Sequence, residues 1–197
     1  MIDTDLLLAS GAVFKKLTKG ELIFQEGAHC AFYHQLEIGR VKWLNHSEEG
    51  RVFVQTYVEP GECFGEIPLF DDHPYAASAV ADQDSVVLRL CKSTFLQLLK
   101  NDQALHLRFT RLLAQRVRFK FLLLKAMSSY DPEERIGAVL DYMKSERVNL
   151  CTSCNQVKLT RQEIADMTGL RVETVIRSIR KLQDKGALVI SKGKVYC

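Results

Sequence analysis

The sequence lacks any apolar run approaching the roughly 18 residues that a membrane-spanning helix needs. It also lacks the basic amino-terminal segment and long apolar stretch of a secretion signal. Internal repeats and low-complexity tracts are missing, and hydrophobic and charged fractions of 47% and 26% are typical of a globular chain. We therefore predict a folded cytoplasmic protein rather than a membrane, secreted, fibrous or disordered one.

Familiar catalytic motifs are missing too: the sequence contains neither HExxH nor a P-loop, and no Ser-His-Asp set is recognisable. The six cysteines are expected to be mostly free thiols in a reducing compartment. Only Cys151 and Cys154 have suggestive spacing, and a CxxC oxidoreductase would need a βαβ context that the surrounding helical pattern does not offer. We predict no enzymatic activity. The pair is interpreted as two free thiols in a turn, as a redox switch, or as half of a zinc site that Cys197 could join.

Charge is unevenly distributed along the chain although the net charge is only +3. Residues 1–101 carry 9 basic and 14 acidic side chains, residues 102–128 carry 6 and 1, and residues 129–197 carry 12 and 9. A basic carboxy-terminal half attracts polyanions and an acidic front half repels them. The alternative is an unevenly charged surface without a partner.

Glycine-containing turn signals recur about every ten residues from Lys15 to Leu90, the spacing of a compact antiparallel β domain. Within this region, residues Val52 to Val58 alternate in the period-2 pattern of a strand, and Ser85 to Leu90 form another apolar strand.

The period changes to steps of three and four between Leu105 and Met127, which contain no glycine or proline and predict a helix of about 23 residues, roughly 35 Å long. Its apolar surface is wider than one stripe, so we predict that one face packs on the β domain and another on a second copy of the chain. The alternative is a central core helix of a monomer. The predicted dimer interface comprises Phe109, Leu112, Leu113, Val117, Phe121 and Leu124.

Asp131-Pro132 predicts the start of another helix, with Asp131 as N-cap and Glu133 and Glu134 in the first turn. The domain boundary is expected near 128–130. We accordingly divide the chain into a sensor domain at 1–102, a dimerisation helix at 103–128 and a DNA-binding domain at 129–197.

Two short helices joined by a glycine turn are predicted within residues 160–182. Thr160 and Glu163 form a capping box, so the first helix starts at Arg161. Gly169 suits the turn. The second helix, from Glu173 to Leu182, is expected to face inward with Val175, Ile179 and Leu182.

The outward face of the second helix carries groups that can read base edges. A carboxylate such as that of Glu173 accepts from cytosine N4, and a guanidinium such as that of Arg177 holds guanine O6 and N7. Val172 and Ile176 could contact a thymine methyl group. The alternative is a surface ion pair between Glu173 and Arg177, worth about 0.3–0.5 kcal/mol.

Apolar residues on both sides of Lys192-Gly193 predict a β-hairpin wing after these helices, with Lys192 and Lys194 near phosphates. A competing interpretation of the whole chain is a ligand-binding module whose basic end is merely solvated.

The segments GECFGEIPLF (61–70) and LTRQEIADMTGLRVETVIR (159–177) resemble the CRP/FNR family of bacterial regulators over nearly the full chain. The resemblance implies an α+β fold with an N-terminal antiparallel, jelly-roll-like β-roll, a long dimerisation helix and a C-terminal winged helix-turn-helix. It implies a homodimer that binds double-stranded DNA, and RNA polymerase as a further partner.

The same resemblance implies that Glu173 and Arg177 read a G·C pair in each half-site. Val172 stands where the cAMP receptors have a second arginine, and Ile176 replaces the serine usual in FNR-like helices. Arg171 replaces a frequent serine helix cap. The residues expected at the DNA backbone are Thr160, Arg161, Gln162, Arg171, Thr174, Arg180, Lys181 and Lys192.

The effector is expected to differ from that of the cAMP receptors. Glu66 matches the ribose-contacting glutamate, but Ala76 and Ala77 replace the Arg-Ser or Arg-Thr clamp on the cyclic phosphate, and alanine offers no donor. Lys120 and Phe121 replace a helical Thr-Ser. We expect the effector pocket to include Phe64, Gly65, Glu66, Ala76 and Ala77, and to bind no cAMP.

An FNR-type iron–sulfur cluster is not expected, because its ligands form an N-terminal cysteine cluster and the first cysteine here is Cys30. Haem stays an open alternative. The histidines that could serve it are His29, His34, His46, His73 and His106.

Overall fold

The computed structural model describes residues 1–50, 52–128, 131–151 and 153–197, and it divides into two compact units, residues 1–112 and 113–197. The helices are α1 (Thr4–Ala9), α2 (Ile67–Asp71), α3 (Lys92–Asn101), α4 (Gln103–Ser128), α5 (Pro132–Glu146), α6 (Arg161–Thr168) and α7 (Val172–Asp184). The strands are β1 (Val13–Leu17), β2 (Leu22–Phe24), β3 (Phe32–Ile38), β4 (Val41–His46), β5 (Val52–Val58), β6 (Cys63–Phe64), β7 (Ser78–Ala81), β8 (Ser85–Cys91), β9 (Val189–Ser191) and β10 (Lys194–Tyr196).

Two four-stranded antiparallel sheets build the first unit, in the orders β1-β8-β3-β6 and β2-β7-β4-β5. Apolar residues from both sheets share one core, including Phe24, Leu36, Trp43, Phe64 and Val87. This is the predicted antiparallel β-roll.

A second core lies on the other face of the first sheet, where α1, α3 and the start of α4 cover it. Strand β8 serves both cores, since Val87 lies in the first and Leu88 and Leu90 in the second. Leu105 and Phe109 of α4 are fully buried here. The prediction that one face of the long helix packs on its own β domain is therefore confirmed.

The second unit gathers the rest of α4, the helices α5 to α7 and the β9–β10 hairpin. Its core includes Ile136, Val139, Leu140 and Met143 of α5, the face predicted for that helix. Helix α5 begins as expected, because the carboxylate of Asp131 accepts from the backbone N–H of Glu133 at 2.9 Å.

Helix bounds agree with the sequence to within two residues at most positions. The helix predicted from Leu105 to Met127 runs over Gln103–Ser128, and the one predicted from Glu173 to Leu182 over Val172–Asp184. The domain boundary is predicted near 128–130, and residues 129 and 130 lie outside the described part of the chain. In the ranges that are described, no helix is long and apolar enough to cross a membrane.

Candidate nucleic-acid interface

Helix α6 begins and ends with local features that the sequence predicts. The Thr160 backbone N–H donates to the Glu163 carboxylate at 2.6 Å, and the Glu163 N–H donates to the Thr160 hydroxyl at 3.2 Å. Helix α6 ends at Gly169, whose φ of 68° is the left-handed conformation that glycine adopts at little cost. The predicted capping box and glycine turn are confirmed.

Helix α7 has one buried and one open face. Val175, Ser178 and Ile179 are buried against the unit's core, whereas Glu173 and Arg177 are exposed one turn apart. Arg180 and Ile176 extend the open face, and Val172 is half-buried at its start. This arrangement presents one carboxylate and two guanidinium groups to solvent on a single ridge.

The first turn of α7 has no side-chain cap, as expected from Arg171 at the N-cap position. The start of a helix carries partial positive charge on its backbone N–H groups, and here the adjacent Arg171 side chain is exposed. Both features favour an anion at this end of the helix.

Two contacts that the sequence did not reveal fix α7 and α6 within the unit. Lys185 and Lys181, at the end of α7, lie 2.6 and 3.2 Å from the carboxylate of Glu133 in the first turn of α5. Hydrogen bonds from Lys185 and then Lys181 lower the pKa of Glu133. The predicted backbone-contacting residue Lys181 therefore has an intramolecular partner.

The second contact is made by Arg135 of α5. Its guanidinium donates to the carbonyl of Thr168, the last residue of α6, at 3.4 Å and to the carbonyl of Met127 near the end of α4 at 3.2 Å. Carbonyls in the last turn of a helix have no intrahelical partner, so one guanidinium satisfies a carbonyl at each of two helix ends.

The wing forms as predicted. Strands β9 and β10 pair antiparallel, and Lys192 and Gly193 both adopt positive φ values, 48° and 75°, in the connecting turn. Lys192 and Lys194 are exposed.

The remaining residues predicted at the DNA backbone occupy varied positions. Gln162 is exposed and donates to Asp166 at 2.8 Å, Arg161 and Thr174 are half-buried, and Thr160 is exposed with its hydroxyl already accepting the Glu163 N–H.

Some of the residues predicted at the dimer interface are exposed in the structure, and others are buried. Val117, Phe121 and Leu124 are 54%, 68% and 67% exposed. By contrast, Phe109 is fully buried in the core of the first unit, where its ring packs on those of Tyr33 and Phe95, so it is not available to a partner. Leu112 packs against that same core, and Leu113 is half-buried.

The opposite face of α4 in the second unit is covered by the unit itself. Phe119, Leu123 and Ala126 are buried, and Phe119 stacks on Tyr142 of α5 with ring centroids 3.8 Å apart. Val117, Phe121 and Leu124 therefore form a separate, exposed face of the helix together with Ala114.

In the β-roll, the predicted effector residues surround a set of stacked rings. Phe64 and Glu66 are fully buried, and Ala77 is nearly so. Tyr75 stacks on Phe24 with centroids 3.8 Å apart, and a Cβ on Gly65 would lie only 2.5 Å from the Phe24 ring. The Phe24 and Tyr75 rings therefore fill the space next to Gly65.

Ala76 is exposed, and its carbonyl accepts from the Asn45 side chain at 2.8 Å. Both clamp positions are thus occupied by methyl groups, which can neither donate to an anion nor carry positive charge.

Of the five histidines, four are exposed and His34 is buried. Its ring lies among Phe24, Phe32 and Phe64. Burial, followed by the positive charges of Arg89 and Lys15, lowers the pKa of His34 to about 3, so the imidazole is neutral at physiological pH. It is a core residue of the first unit.

Cys151 and Cys154 lie in the loop between α5 and α6. The Cys151 sulfur lies 3.2 Å from the Ser153 hydroxyl oxygen and also hydrogen bonds to the Cys154 side chain. These contacts, Ser153 first, lower the pKa of the Cys151 thiol to about 6. No group of three or more His, Cys, Asp or Glu side chains arranged to hold a metal ion occurs among the described residues, which exclude Thr152 of this loop.

Comparison with known proteins matches each unit separately. A family model for the cyclic nucleotide-binding domain matches residues 14–102, and one for the Crp-like helix-turn-helix domain matches residues 134–196. The cyclic AMP receptor protein of Thermus thermophilus is 28% identical over 177 residues, covering 90% of this chain and 80% of the relative. The cAMP-activated global transcriptional regulator CRP of Pasteurella multocida is 28% identical over 185 residues, covering 92% and 87%.

Among solved structures, FixK2 from Bradyrhizobium japonicum superposes with a TM-score of 0.76, covering 94% of this chain and 91% of the other at 22% identity. Such a likeness establishes the fold. The two domain matches and the curated relatives, together with this fold, show that the chain belongs to the CRP/FNR family of transcription regulators, with a helix-turn-helix DNA-binding domain.

Proposed function

We propose that this chain is a homodimeric, sequence-specific DNA-binding regulator in which Glu173 and Arg177 read base edges in the major groove. The observation that carries the proposal is the division of α7 into a buried face and an open one that presents both side chains one turn apart. A major groove about 12 Å wide admits a helix with such a face.

Each exposed group has a complementary base edge. The guanidinium of Arg177 suits guanine O6 and N7 with two hydrogen bonds, and the carboxylate of Glu173 suits the N4 amino group of cytosine. Since these are the two partners of one base pair or of neighbouring pairs, we expect a G·C pair in each half-site. Ile176 and Val172 are placed to contact thymine methyl groups beside it.

Phosphate contacts fix the register of such a helix. Arg171 and the positive end of α7, which has no side-chain cap, are suited to one phosphate, and Arg180 and Lys192 to others. Thr160, Arg161, Gln162 and Thr174 complete the proposed backbone set. Lys181 is the weakest member, because Glu133 already holds its ammonium group.

The proposed dimer forms through α4. Ala114, Val117, Phe121 and Leu124 follow one another at steps of three, four and three, the heptad spacing of a two-helix seam. All four are exposed while the opposite face of the helix is buried. A second copy would cover large apolar side chains that otherwise face water.

A selection experiment tests the base-reading role. Duplexes enriched from a randomised pool by the full-length wild-type protein should share a half-site with a G·C pair, and their affinity should fall steeply with salt. Replacing both Glu173 and Arg177 by alanine should remove selectivity for that pair, each contact being worth about 1–3 kcal/mol of discrimination.

The matched control is Lys192→Ala, which should weaken binding to all duplexes alike and reduce the salt dependence by about one charge. If the double variant still enriched the wild-type site, the proposed base-reading role of Glu173 and Arg177 would be wrong.

The proposed effector differs from cAMP, or no small effector exists. Two relatives are named for cyclic AMP, but at the clamp positions this chain has Ala76 and Ala77. A charge-assisted hydrogen bond to a phosphate is worth about 1.5–3 kcal/mol, so loss of the clamp should cost tenfold or more in affinity. Calorimetry should detect no cAMP binding, and micromolar affinity would contradict the proposal.

A regulator acting through Cys151 and Cys154 is the second candidate. The metal-responsive form needs further ligands, and the redox form needs two thiols in contact. The contact between the two cysteine side chains and the low pKa of Cys151 favour the redox form. We expect RNA polymerase as the further protein partner on the family resemblance, and the cytoplasm, with its DNA, as the place of action.

A further inference from the structure

We propose that Cys151 and Cys154 are a dithiol that a hydroperoxide converts into an intramolecular disulfide, and that this disulfide weakens DNA binding by loosening the wing. The thiol chemistry stands by itself. Its effect on DNA rests on the proposed function.

Cys151 and Cys154 lie three positions apart in a loop that is closed by backbone hydrogen bonds. The backbone N–H of Asn155 donates to the Cys151 carbonyl at 2.9 Å, and Leu150 and Val157 pair across the loop's base. In a turn this tight, Cα atoms three residues apart lie within about 7 Å. Disulfides span roughly 4.4–6.8 Å between Cα atoms, so little backbone movement is needed.

Access and reactivity differ between the two thiols in a useful way. Cys154 is exposed and Cys151 is half-buried. With its pKa near 6, Cys151 is mainly a thiolate at pH 7.5, whereas an ordinary cysteine with a pKa of about 8.5 is mainly a thiol. Cys151 is therefore the nucleophile, and Cys154 is the resolving thiol.

The reaction balances with a hydroperoxide as the oxidant. The Cys151 thiolate attacks the terminal peroxide oxygen, the O–O bond breaks, and the alcohol leaves after taking up a proton, which gives a sulfenic acid on Cys151. The Cys154 sulfur then attacks the Cys151 sulfur, and the S–O bond breaks. The hydroxyl group leaves with the Cys154 proton as water. Two thiols have lost two electrons and the peroxide has gained them.

The loop is hydrogen bonded to the wing, and through these bonds oxidation of the cysteines would affect DNA binding. Gln156 pairs with Tyr196, the Val157 N–H donates to the Val195 carbonyl at 2.8 Å, and the Cys197 N–H donates to the Asn155 carbonyl at 3.2 Å. These bonds hold β10, which begins at Lys194 beside the basic turn. Even a small shift of Asn155 and Gln156 around a new S–S bond would weaken their hydrogen bonds to this strand.

The experiment uses the full-length protein, reduced and then exposed to stoichiometric hydrogen peroxide. Intact mass and peptide mapping should show loss of two hydrogen atoms and a Cys151–Cys154 bridge, reversed by dithiothreitol. Cys154→Ser should stop at a sulfenic acid that dimedone traps, and Cys151→Ser should react slowly. Cys91→Ser is the matched control, because Cys91 is also exposed with a pKa lowered by Ser93, yet its removal should leave the bridge unaffected.

The same samples are titrated with the duplex that the reduced protein selects from a randomised pool. Oxidation should lower affinity roughly two- to tenfold, the worth of about one lost hydrogen bond, and Cys151→Ser should abolish this effect. Absence of the bridge, or a bridge between two chains, would overturn the inference. A bridge with unchanged affinity would overturn its link to DNA, whereas failure of the reduced protein to select any duplex would overturn the proposed function instead.

Discussion

Phe121 offers the sharpest test of dimerisation because it is 68% exposed on α4 in the isolated chain. A phenylalanine buries about 150–250 Å² when fully covered, so roughly 140 Å² remains for a partner to cover. At about 25 cal/mol per Å² this sets an upper bound near 3.5 kcal/mol per chain. Association does not return all of this free energy, and truncation of a hot-spot residue near the centre of an interface costs about 2 kcal/mol or more.

A twofold dimer contains this side chain twice, so Phe121→Ala should cost about 4 kcal/mol of association and raise the dimer dissociation constant by about three orders of magnitude. Sedimentation equilibrium over a wide concentration range measures this constant directly. Thermal unfolding should change little at concentrations where both proteins are monomeric, because exposed residues contribute within about 0.5 kcal/mol to a monomer's stability.

Leu122→Ala is the matched control, since Leu122 is a neighbouring apolar residue that is 43% exposed but lies outside the heptad seam. It should leave the dissociation constant nearly unchanged. A wild-type chain that is monomeric at high concentration, or equal effects of the two variants, would refute the assignment of this face to a second copy.

Three further outcomes follow from individual contacts. Glu133→Gln should lower the melting temperature at neutral pH, since it breaks the pairing with Lys185. The lowered pKa of Glu133 means that this contribution exists above the ordinary carboxylate pKa and disappears as pH falls through the folded-state pKa, so wild type and variant should converge in acid. The pKa of His34 is about 3 in the folded protein, so as pH falls the unfolded chain takes up the proton first. The free energy of unfolding of the wild type should therefore decrease as pH falls from about 6.5 toward 3. His34→Leu should flatten that slope in denaturant titrations. Thr160→Ala should cost about 1 kcal/mol, or roughly 2–4 °C in melting temperature, through loss of the helix cap; an unchanged midpoint would contradict that role.

Much of the second unit could be predicted from the sequence because its helix starts and turns depend on residues that are close together in the chain. The Thr160–Glu163 capping box, the Asp131-Pro132 helix start and the Lys192-Gly193 turn each depend on side chains within four positions. Long-range contacts left no such signal. Glu133 meets Lys185 only because the fold brings the start of α5 to the end of α7.

Strand β3 shows why the first unit was harder to predict. Tyr33, His34, Gln35 and Leu36 are all buried, because helices cover one face of their sheet and the second sheet covers the other. A strand buried on both faces has no period-2 alternation. The prediction that Phe109 contacts a second copy is wrong for a related reason, because helical spacing indicates that a face is apolar but not which surface covers it.

The two hydrogen bonds of Arg135 have a mechanical consequence. The rigid, planar guanidinium donates to the carbonyls of both Met127 and Thr168, and so it links the C-terminal end of α4 to the C-terminal end of α6. A displacement of Met127 would therefore be transmitted through Arg135 to Thr168, directly before the turn that leads into α7. Lysine has one compact ammonium group and cannot bond both carbonyls in this geometry. Arg135→Lys should therefore uncouple the two helix ends while keeping the charge.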